Sequence, residues 1–127
     1  RWAFEGVWTD WYEEGQSPLR WTRPVLLNRW EQNGTRPVEF TKDSAGNVHI
    51  EGAMRNGIFG NPDISAFILP DGFRPKNTRI INVASASGTI SYTRVVIREN
   101  GTVWIEDVSR AGAESHVDMS LSFPADR

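Results

Sequence analysis

Four residues in the second half of the chain form the pattern best suited to binding a small molecule. Tyr92, Arg94, Trp104 and Glu106 lie in two alternating runs that are separated by Glu99-Asn100-Gly101. If these runs pair as a hairpin, all four side chains point away from the core. A tryptophan ring packs on the apolar C–H face of a sugar, while arginine and carboxylate groups hydrogen-bond its hydroxyls. We therefore predict that these four residues bind carbohydrate.

A structural alternative exists for the same face, because an outward tryptophan is also expected wherever a second layer covers a sheet. Four of the six tryptophans, Trp2, Trp8, Trp11 and Trp21, fall within residues 1–24. Their rings need a partner surface, either on this domain or on another subunit. We interpret residues 1–24 as a Trp-rich extended lead-in or shoulder and residues 25–127 as the folded domain.

The two histidines give little indication of a metal site. His49 and His116 occupy outward positions of predicted strands, where a lone histidine is usually a solvated surface residue. The chain has no cysteine, so a metal site would need both histidines together with carboxylates, and no local spacing suggests one. We predict neither a metal nor an organic cofactor.

No catalytic motif is visible. A Gly-x-Ser-x-Gly elbow is absent, and Ser85-Ala86-Ser87-Gly88 is more simply a turn. Paired carboxylates meet only in space, so they cannot be judged from the sequence. Most candidates for such a pair lie in turns, where aspartate is expected anyway; they are Asp63, Asp71, Asp107, Glu114 and Asp118. We predict a protein that is not an enzyme.

Length and charge exclude several classes of function. The 127 residues are the usual size of one domain and bury enough surface for a core without disulfides. A net charge of −2 gives no chain-wide attraction to nucleic acid. No apolar run approaches 18 residues, so we expect no membrane insertion. The chain starts at Arg1 rather than Met, and we expect it to be a piece of a longer polypeptide.

The elements that must position these residues are strands. Turn signals recur roughly every 8–12 residues and no segment keeps a helical period, which is typical of a β-sandwich or barrel. We predict an all-β, antiparallel β-sandwich or jelly-roll-like barrel of about seven to nine strands. The predicted segments are a hairpin over 36–52, strands over 64–69 and 79–84, a hairpin over 89–108 and a single strand over 117–123.

The second hairpin has a register that can be argued. A two-residue Asn-Gly turn would mix apolar and charged side chains on both faces. A three-residue loop with Gly101 left-handed instead pairs Ile97 with Val103 and Val95 with Ile105. It also places Arg94 opposite Glu106 and Val96 opposite Trp104, and one face is then wholly apolar. We predict the three-residue loop, with a bulge at Gly101.

Several short runs together resemble the C-terminal tip domain of bacteriophage tail fibres and receptor-binding proteins, of the type found in phages of Gram-positive hosts. The strongest is Leu69-Pro70-Asp71-Gly72-Phe73-Arg74-Pro75. The similarity extends over residues 21–124 and includes the runs 25–30, 46–52, 67–75, 80–84, 100–103 and 121–123. In the 69–75 run we expect Pro70 to end a strand, Gly72 to permit a turn and Phe73 to fold onto the core, which is architecture rather than a binding site.

This resemblance implies a homotrimer at the end of a fibre, attached to upstream fibre or baseplate segments. It implies an extracellular location at the virion tail tip and adsorption to host surface polysaccharide or teichoic acid. The recognised run contains no binding residue that could be carried over. Two alternatives stay open: a purely structural trimerisation knob or baseplate spacer, and a carbohydrate-binding module of a cell-wall hydrolase.

Overall fold

The computed structural model describes residues 20–33, 35–86 and 90–126 of the chain. The fold is all-β, as predicted, and the helical content of the described residues is one 3₁₀ turn at Ala113–Ser115. The described residues form ten strands, several of them only two residues long, against about seven to nine expected for the chain. They are β1 Glu31–Gln32, β2 Glu39–Lys42, β3 Asn47–Glu51, β4 Ala53–Arg55, β5 Phe67–Ile68, β6 Arg79–Ala86, β7 Ile90–Ile97, β8 Thr102–Val108, β9 Val117–Asp118 and β10 Leu121–Pro124.

Seven strands form one antiparallel sheet that curls into a half-barrel, in the order β1-β4-β9-β6-β7-β8-β5. A smaller antiparallel sheet has the order β10-β3-β2. Strands β6, β7 and β8 are the longest, and they form the centre of the half-barrel. Because these three strands are rich in β-branched residues that alternate along the chain, one face of the ribbon is apolar and packs inward.

The hydrophobic core lies between the concave face of the half-barrel and the small sheet. Val48 and Ile50 of β3 are fully buried there, as the alternating pattern of 48–55 predicts. The remaining large, fully buried members come from both sheets and the segments between them: Val38, Met54, Phe67, Leu69, Val95, Ile97, Val103, Ile105, Val117 and Met119. Each such side chain removed from water contributes roughly 1.5–3 kcal/mol to folding.

The β7–β8 hairpin has the predicted register near its turn. Ile97 pairs with Val103, Val96 with Trp104 and Val95 with Ile105. Gly101 has a φ of 91°, in the left-handed region, and its N–H donates to the carbonyl of Arg98. The three-residue loop is therefore confirmed, because only that loop gives this set of pairs.

Further from the turn the predicted register is wrong by one residue. A bulge lies between Arg94 and Val95, so Arg94 is opposite Asp107 and not Glu106. The extra residue in β8 is unpaired in the ladder and bends the strand. Arg94 nevertheless reaches Glu106, and its Nη1 lies 3.2 Å from Oε1 of that carboxylate.

The predicted single strand over 117–123 is two strands in different sheets. Pro124 does end the second of them, but Asp118 breaks the first, because its Oδ1 accepts a 3.0 Å hydrogen bond from the N–H of Ser120. Such a side-chain bond to nearby backbone competes with ladder pairing. The neighbouring segment, which contains β3 and β4, bends at the same level, at Gly52. The φ of Gly52 is 102°, and its carbonyl accepts a hydrogen bond from the N–H of Met119 at 2.8 Å. The two bends together carry the β3–β4 segment and the β9–β10 segment from one sheet to the other.

Two further boundaries differ from expectation. The strand predicted over 64–69 is shorter, Phe67–Ile68, with single backbone hydrogen bonds from Ala66 and Leu69 on either side, and Pro70, which has no N–H, ends the ladder. Strand β6 continues through Ser85 and Ala86, which were predicted to start a turn, since both pair with β7. The other two residues of that predicted turn, Ser87 and Gly88, lie outside the described residues.

Isolated bridges extend both edges of the small sheet. Thr22 pairs with Phe40 beside β2, and Pro75 pairs with Ala125 beyond the end of β10. Pairing at an edge reduces the length of ladder that another chain could join. Thr22 belongs to the predicted lead-in over 1–24, of which residues 1–19 lie outside the described residues.

Candidate functional site

The predicted sugar-binding residues share the convex side of the half-barrel, which we call the outer face. It is formed by Ile80, Asn82, Ala84, Tyr92, Arg94, Val96, Thr102, Trp104 and Glu106. Ile80 pairs with Val96, and Val96 with Trp104, so an apolar row crosses three strands. Arg94 and Tyr92 follow on the same face of β7, two and four residues before Val96. Arg94 is opposite Asn82 of β6, and Tyr92 is opposite Ala84.

Trp104 does not provide the exposed ring that the sequence predicts. Its side chain points away from the main core, as expected, but only 7 % of the residue is exposed. Its indole Nε1 is buried and has no hydrogen-bond partner among the described residues. A sugar ring needs an open aromatic surface on which to stack, so Trp104 is not a stacking platform.

The other three predicted residues remain accessible. Tyr92 is 49 % exposed, and its backbone N–H is held by Oγ of Ser109 at 2.8 Å. Arg94 and Glu106 form an exposed ion pair. The outer face thus keeps one half-exposed phenol beside an arginine–carboxylate pair on the convex side of the sheet.

A cavity of about 410 Å³ lies elsewhere, where three distant parts of the chain meet. Its lining comes from the turn between β5 and β6, from the tip of the β7–β8 hairpin and from the end of the chain after β10. The lining residues are Asp71, Gly72, Arg74, Glu99 and Asp126, and we call this the Arg74 cavity. Three carboxylates and one guanidinium therefore face one open space.

The Arg74 side chain is fixed before any ligand arrives. Its Nε donates to the carbonyl of Leu69 at 2.8 Å, and its Nη1 lies 3.1 Å from Oδ1 of Asp71. Leu69 is itself fully buried at the end of a strand segment, so the guanidinium is anchored to the core. The Asp71 side chain is 96 % exposed, and the ion pair therefore lies at the mouth of the cavity.

The other two carboxylates reach the cavity by different means. Glu99 lies at the hairpin tip, where its Oε1 accepts a 2.6 Å hydrogen bond from Oγ1 of Thr78. That bond lowers the pKa of Glu99, so the group stays ionised near neutral pH. Asp126 is placed by its backbone, whose N–H donates to the carbonyl of Arg74 at 2.8 Å, beside the bridge of Pro75 and Ala125.

The sequence interpretation of the 69–75 run was incomplete. Phe73 does pack against the core, edge-on to Phe40 with ring centroids 5.1 Å apart, as the architectural interpretation predicts. The same run also supplies Asp71, Gly72 and Arg74 to the cavity. The sequence did contain a signal for a polar binding site, because Asp71 and Arg74 place hydrogen-bond acceptors and donors in the same turn. No sequence signal linked this turn to residues 99 and 126.

The histidines make local hydrogen bonds. His49 Nε2 lies 2.8 Å from Oδ2 of Asp43, and His116 Nδ1 lies 2.5 Å from Nδ2 of Asn33. Within residues 20–33, 35–86 and 90–126, no cluster of three or more histidine and carboxylate side chains is arranged to hold a metal ion.

The candidate catalytic carboxylates lie in different elements of the fold. Asp71 lines the cavity, whereas Asp118 accepts hydrogen bonds from the backbone and hydroxyl of Ser120. Burial raises the pKa of Asp118, but the two bonds from Ser120, together with the charge of Arg36 and a smaller effect of His116, hold the pKa below its ordinary value. The other three lie at separate places, Asp63 in a turn after Asn61, Asp107 at the bulge of β8 and Glu114 in the 3₁₀ turn.

No helix among the described residues is long and apolar enough to cross a membrane. Comparison of the chain with known protein families, with curated protein sequences and with solved structures gave no match.

Proposed function

We propose that this chain is a non-catalytic receptor-binding domain that binds a host cell-surface carbohydrate through the Arg74 cavity. The cavity itself is the observation that carries the proposal. It is concave, open to solvent and lined by Asp71, Arg74, Glu99 and Asp126 around one glycine. Its volume of about 410 Å³ lies within the range of about 300–1,000 Å³ that is typical of small-molecule sites.

The lining chemistry suits a sugar better than it suits an apolar ligand. A carboxylate accepts two hydroxyl hydrogen bonds at once, and a guanidinium donates in a fixed fork. Both kinds of group face the same space, and Arg74 is held in place by Leu69 and Asp71. Preorganisation of this kind lowers the entropic cost of binding a weakly held, flexible glycan.

The resemblance to phage tail-fibre tips supports the biological setting of the proposal. The strongest matching run, residues 69–75, provides three of the five cavity residues. On this proposal the domain is a homotrimer at the extracellular tail tip, joined to upstream fibre or baseplate segments. Exposed isoleucines offer contact area to neighbouring copies, notably Ile80, of which 64 % is exposed, and Ile90, of which 98 % is exposed.

The outer face is a second candidate for glycan contact. Tyr92 is half-exposed beside the Arg94–Glu106 pair, which provides an aromatic edge next to a hydrogen-bonding pair. It ranks below the cavity because Trp104 is buried and because a convex surface covers less of a bound sugar.

A structural role as a trimerisation knob is the rival function, and the same exposed isoleucines favour it. Both functions predict a trimer, so light scattering of the purified chain is expected to give about three times its mass of 14.4 kDa in either case. The two functions differ in adsorption to the host. The fluorescently labelled protein is expected to bind host cells or purified cell walls and to compete with phage.

A matched pair of variants tests the role of the cavity in adsorption. Asp126→Ala removes one cavity carboxylate, whereas Asp63→Ala removes an exposed carboxylate in a turn that is not part of the cavity lining. The first is expected to weaken adsorption and the second to leave it unchanged. A trimer that binds no cell wall of any candidate host would support the structural knob instead.

A further inference from the structure

We propose that the Arg74 cavity selects a glycan unit that carries no negative charge, and that it rejects phosphodiester polymers such as teichoic acid backbones. This inference rests on the proposed function and narrows its ligand class, which the resemblance leaves open between polysaccharide and teichoic acid. It stands on the balance of charge in the cavity and on the contacts that the lining arginine already makes.

The charge of the lining is negative. Three carboxylates, those of Asp71, Glu99 and Asp126, face the cavity with one guanidinium. A further cation, Lys42, is directed at the cavity's own backbone, because its Nζ donates to the carbonyl of Gly72 at 2.8 Å. Lys42 and Arg98, which acts on the charge of Glu99, lie outside the lining, and among the lining residues three carboxylates surround one guanidinium. A phosphodiester that entered this space would therefore lie beside three like charges.

The arginine is also poorly placed to recruit a phosphate. Anion sites usually present an arginine whose fork is open for bidentate contact. In Arg74 the Nε is occupied by the Leu69 carbonyl and Nη1 by the Asp71 carboxylate. A phosphate that approached the remaining Nη2 edge would have to share the cation with Asp71.

The same features favour hydroxyl groups. Glu99 accepts from Thr78 through Oε1, and a carboxylate has about four lone-pair sites, so this bond leaves capacity for a ligand hydroxyl. Hydrogen bonding lowers the pKa of Glu99, which keeps it an acceptor rather than a donor at neutral pH. Sugar hydroxyls donate to such acceptors without bringing charge into the cavity.

Nuclear magnetic resonance titration of the ¹⁵N-labelled intact chain tests the inference directly. The probes are glucose, galactose, rhamnose and N-acetylglucosamine as uncharged units, and glycerol 3-phosphate as the anionic unit. At least one uncharged sugar is expected to shift the amide signals of Gly72, Arg74 and Asp126. Glycerol 3-phosphate is expected to bind the same amides at least about tenfold more weakly, since like charges oppose it.

A charge-neutral variant separates electrostatics from shape. In the double variant Glu99→Gln, Asp126→Asn the carboxylates become amides of the same size, and the preference for the uncharged sugar is expected to shrink to within about threefold. A variant at remote exposed carboxylates, Asp63→Asn with Glu31→Gln, is expected to keep the wild-type preference.

The outcomes distinguish this inference from the function on which it rests. Equal or tighter binding of glycerol 3-phosphate at the cavity amides would overturn the charge selection while leaving the cavity as the receptor site. Cell-wall adsorption that persists with no sugar shifting those amides would overturn the cavity, and with it this inference. Absence of adsorption to any host wall would overturn the proposed function itself.

Discussion

Gly101 at the hairpin tip lies in direct contact with Leu69 at the end of β5. The N–H of Leu69 donates to the carbonyl of Gly101 at 2.8 Å. A β-carbon on Gly101 would fall 2.4 Å from the Leu69 carbonyl oxygen and 2.6 Å from Nε of Arg74. The hairpin turn, the strand end and the anchored arginine of the cavity are therefore packed as one unit, and the glycine is what allows them to meet.

Gly101→Ala is expected to destabilise the fold by about 3 kcal/mol, measured as the loss in the free energy of unfolding by urea denaturation. The left-handed φ of 91° contributes roughly 1–2 kcal/mol for a residue with a β-carbon, and the clash with backbone adds the rest. The displaced Arg74 is also expected to lose its cavity position, so sugar-induced shifts of its amide signal would weaken.

Gly46→Ala is the matched control for this substitution. Gly46 has nearly the same φ, 90°, but a β-carbon there would meet nothing within 4 Å. It is expected to cost only the backbone contribution of about 1–2 kcal/mol. If the two variants were equally destabilised, steric contact at Gly101 would play no part and the packed unit described above would be wrong.

Ile105→Ala is expected to lower the free energy of unfolding by about 2–5 kcal/mol, because Ile105 is fully buried in the core under the half-barrel. Ile90→Ala on the neighbouring strand is its control. Ile90 is 98 % exposed on the single chain, so at concentrations low enough to dissociate a trimer the same truncation is expected to change stability by no more than about 0.5 kcal/mol. If Ile90 contacts a neighbouring copy as proposed, a loss of stability is expected only at concentrations at which the trimer forms.

The sequence was sufficient for the local β-structure and insufficient for the places where strands change sheets. The pairs Val95–Ile105 and Ile97–Val103 follow from the need to bury one face of a ribbon, which depends only on alternation and on the turn. The bend at Met119 leaves the alternation of buried and exposed side chains over 117–123 intact. Met119 itself is buried, although it lies between the end of β9 and the start of β10. The cause of the bend, the hydrogen bond from Ser120 to Asp118, is polar and local, so an apolar pattern does not reveal it.

The site was harder to predict than the fold for a similar reason. Period-two alternation correctly placed Trp104 on the face opposite the core, but alternation cannot tell whether a face is covered. The Arg74 cavity depends on Glu99 and Asp126 approaching a turn that is distant from both in sequence. Polar groups that meet from distant parts of the chain produce no periodic pattern in the sequence. The sequence therefore shows Arg74 in its turn, but it does not show that Glu99 and Asp126 lie beside it.

Tyr92→Ala tests whether the outer face contributes to adsorption. If the cavity carries the binding energy, this variant is expected to bind host cell walls within about twofold of the wild type, since Tyr92 is not part of the cavity lining. Arg94→Ala is expected to behave in the same way and to change stability by less than about 1 kcal/mol, because the Arg94–Glu106 pair is exposed. Abolished binding in both, with normal folding by circular dichroism, would move the receptor site to the outer face.

Acid is expected to remove a stabilising contribution of Asp43. The pKa of Asp43 is held below its ordinary value of 3.8, and the largest cause is a hydrogen bond with His49. Hydrogen bonds from the backbone N–H groups of Asn47 and Ala45 lower it further. Because the folded pKa is the lower one, the contribution is fully present above the unfolded pKa and is lost as the pH falls through the folded value. Asp43→Asn is therefore expected to be less stable than the wild type at pH 7, and urea midpoints of the two proteins are expected to converge once the pH falls below the folded pKa of Asp43.

Asp63→Asn, at an exposed turn position, is the control for this pH series, and its urea midpoints are expected to stay close to those of the wild type at every pH. Asp118, whose pKa is also lowered, is present in the wild type and in the Asp43→Asn variant alike. Both proteins should therefore lose stability in acid, and only the difference between them reports on Asp43. A difference that stays constant across the whole pH series would show that the substitution acts through turn geometry, because an effect of charge must vanish once the carboxylate is protonated.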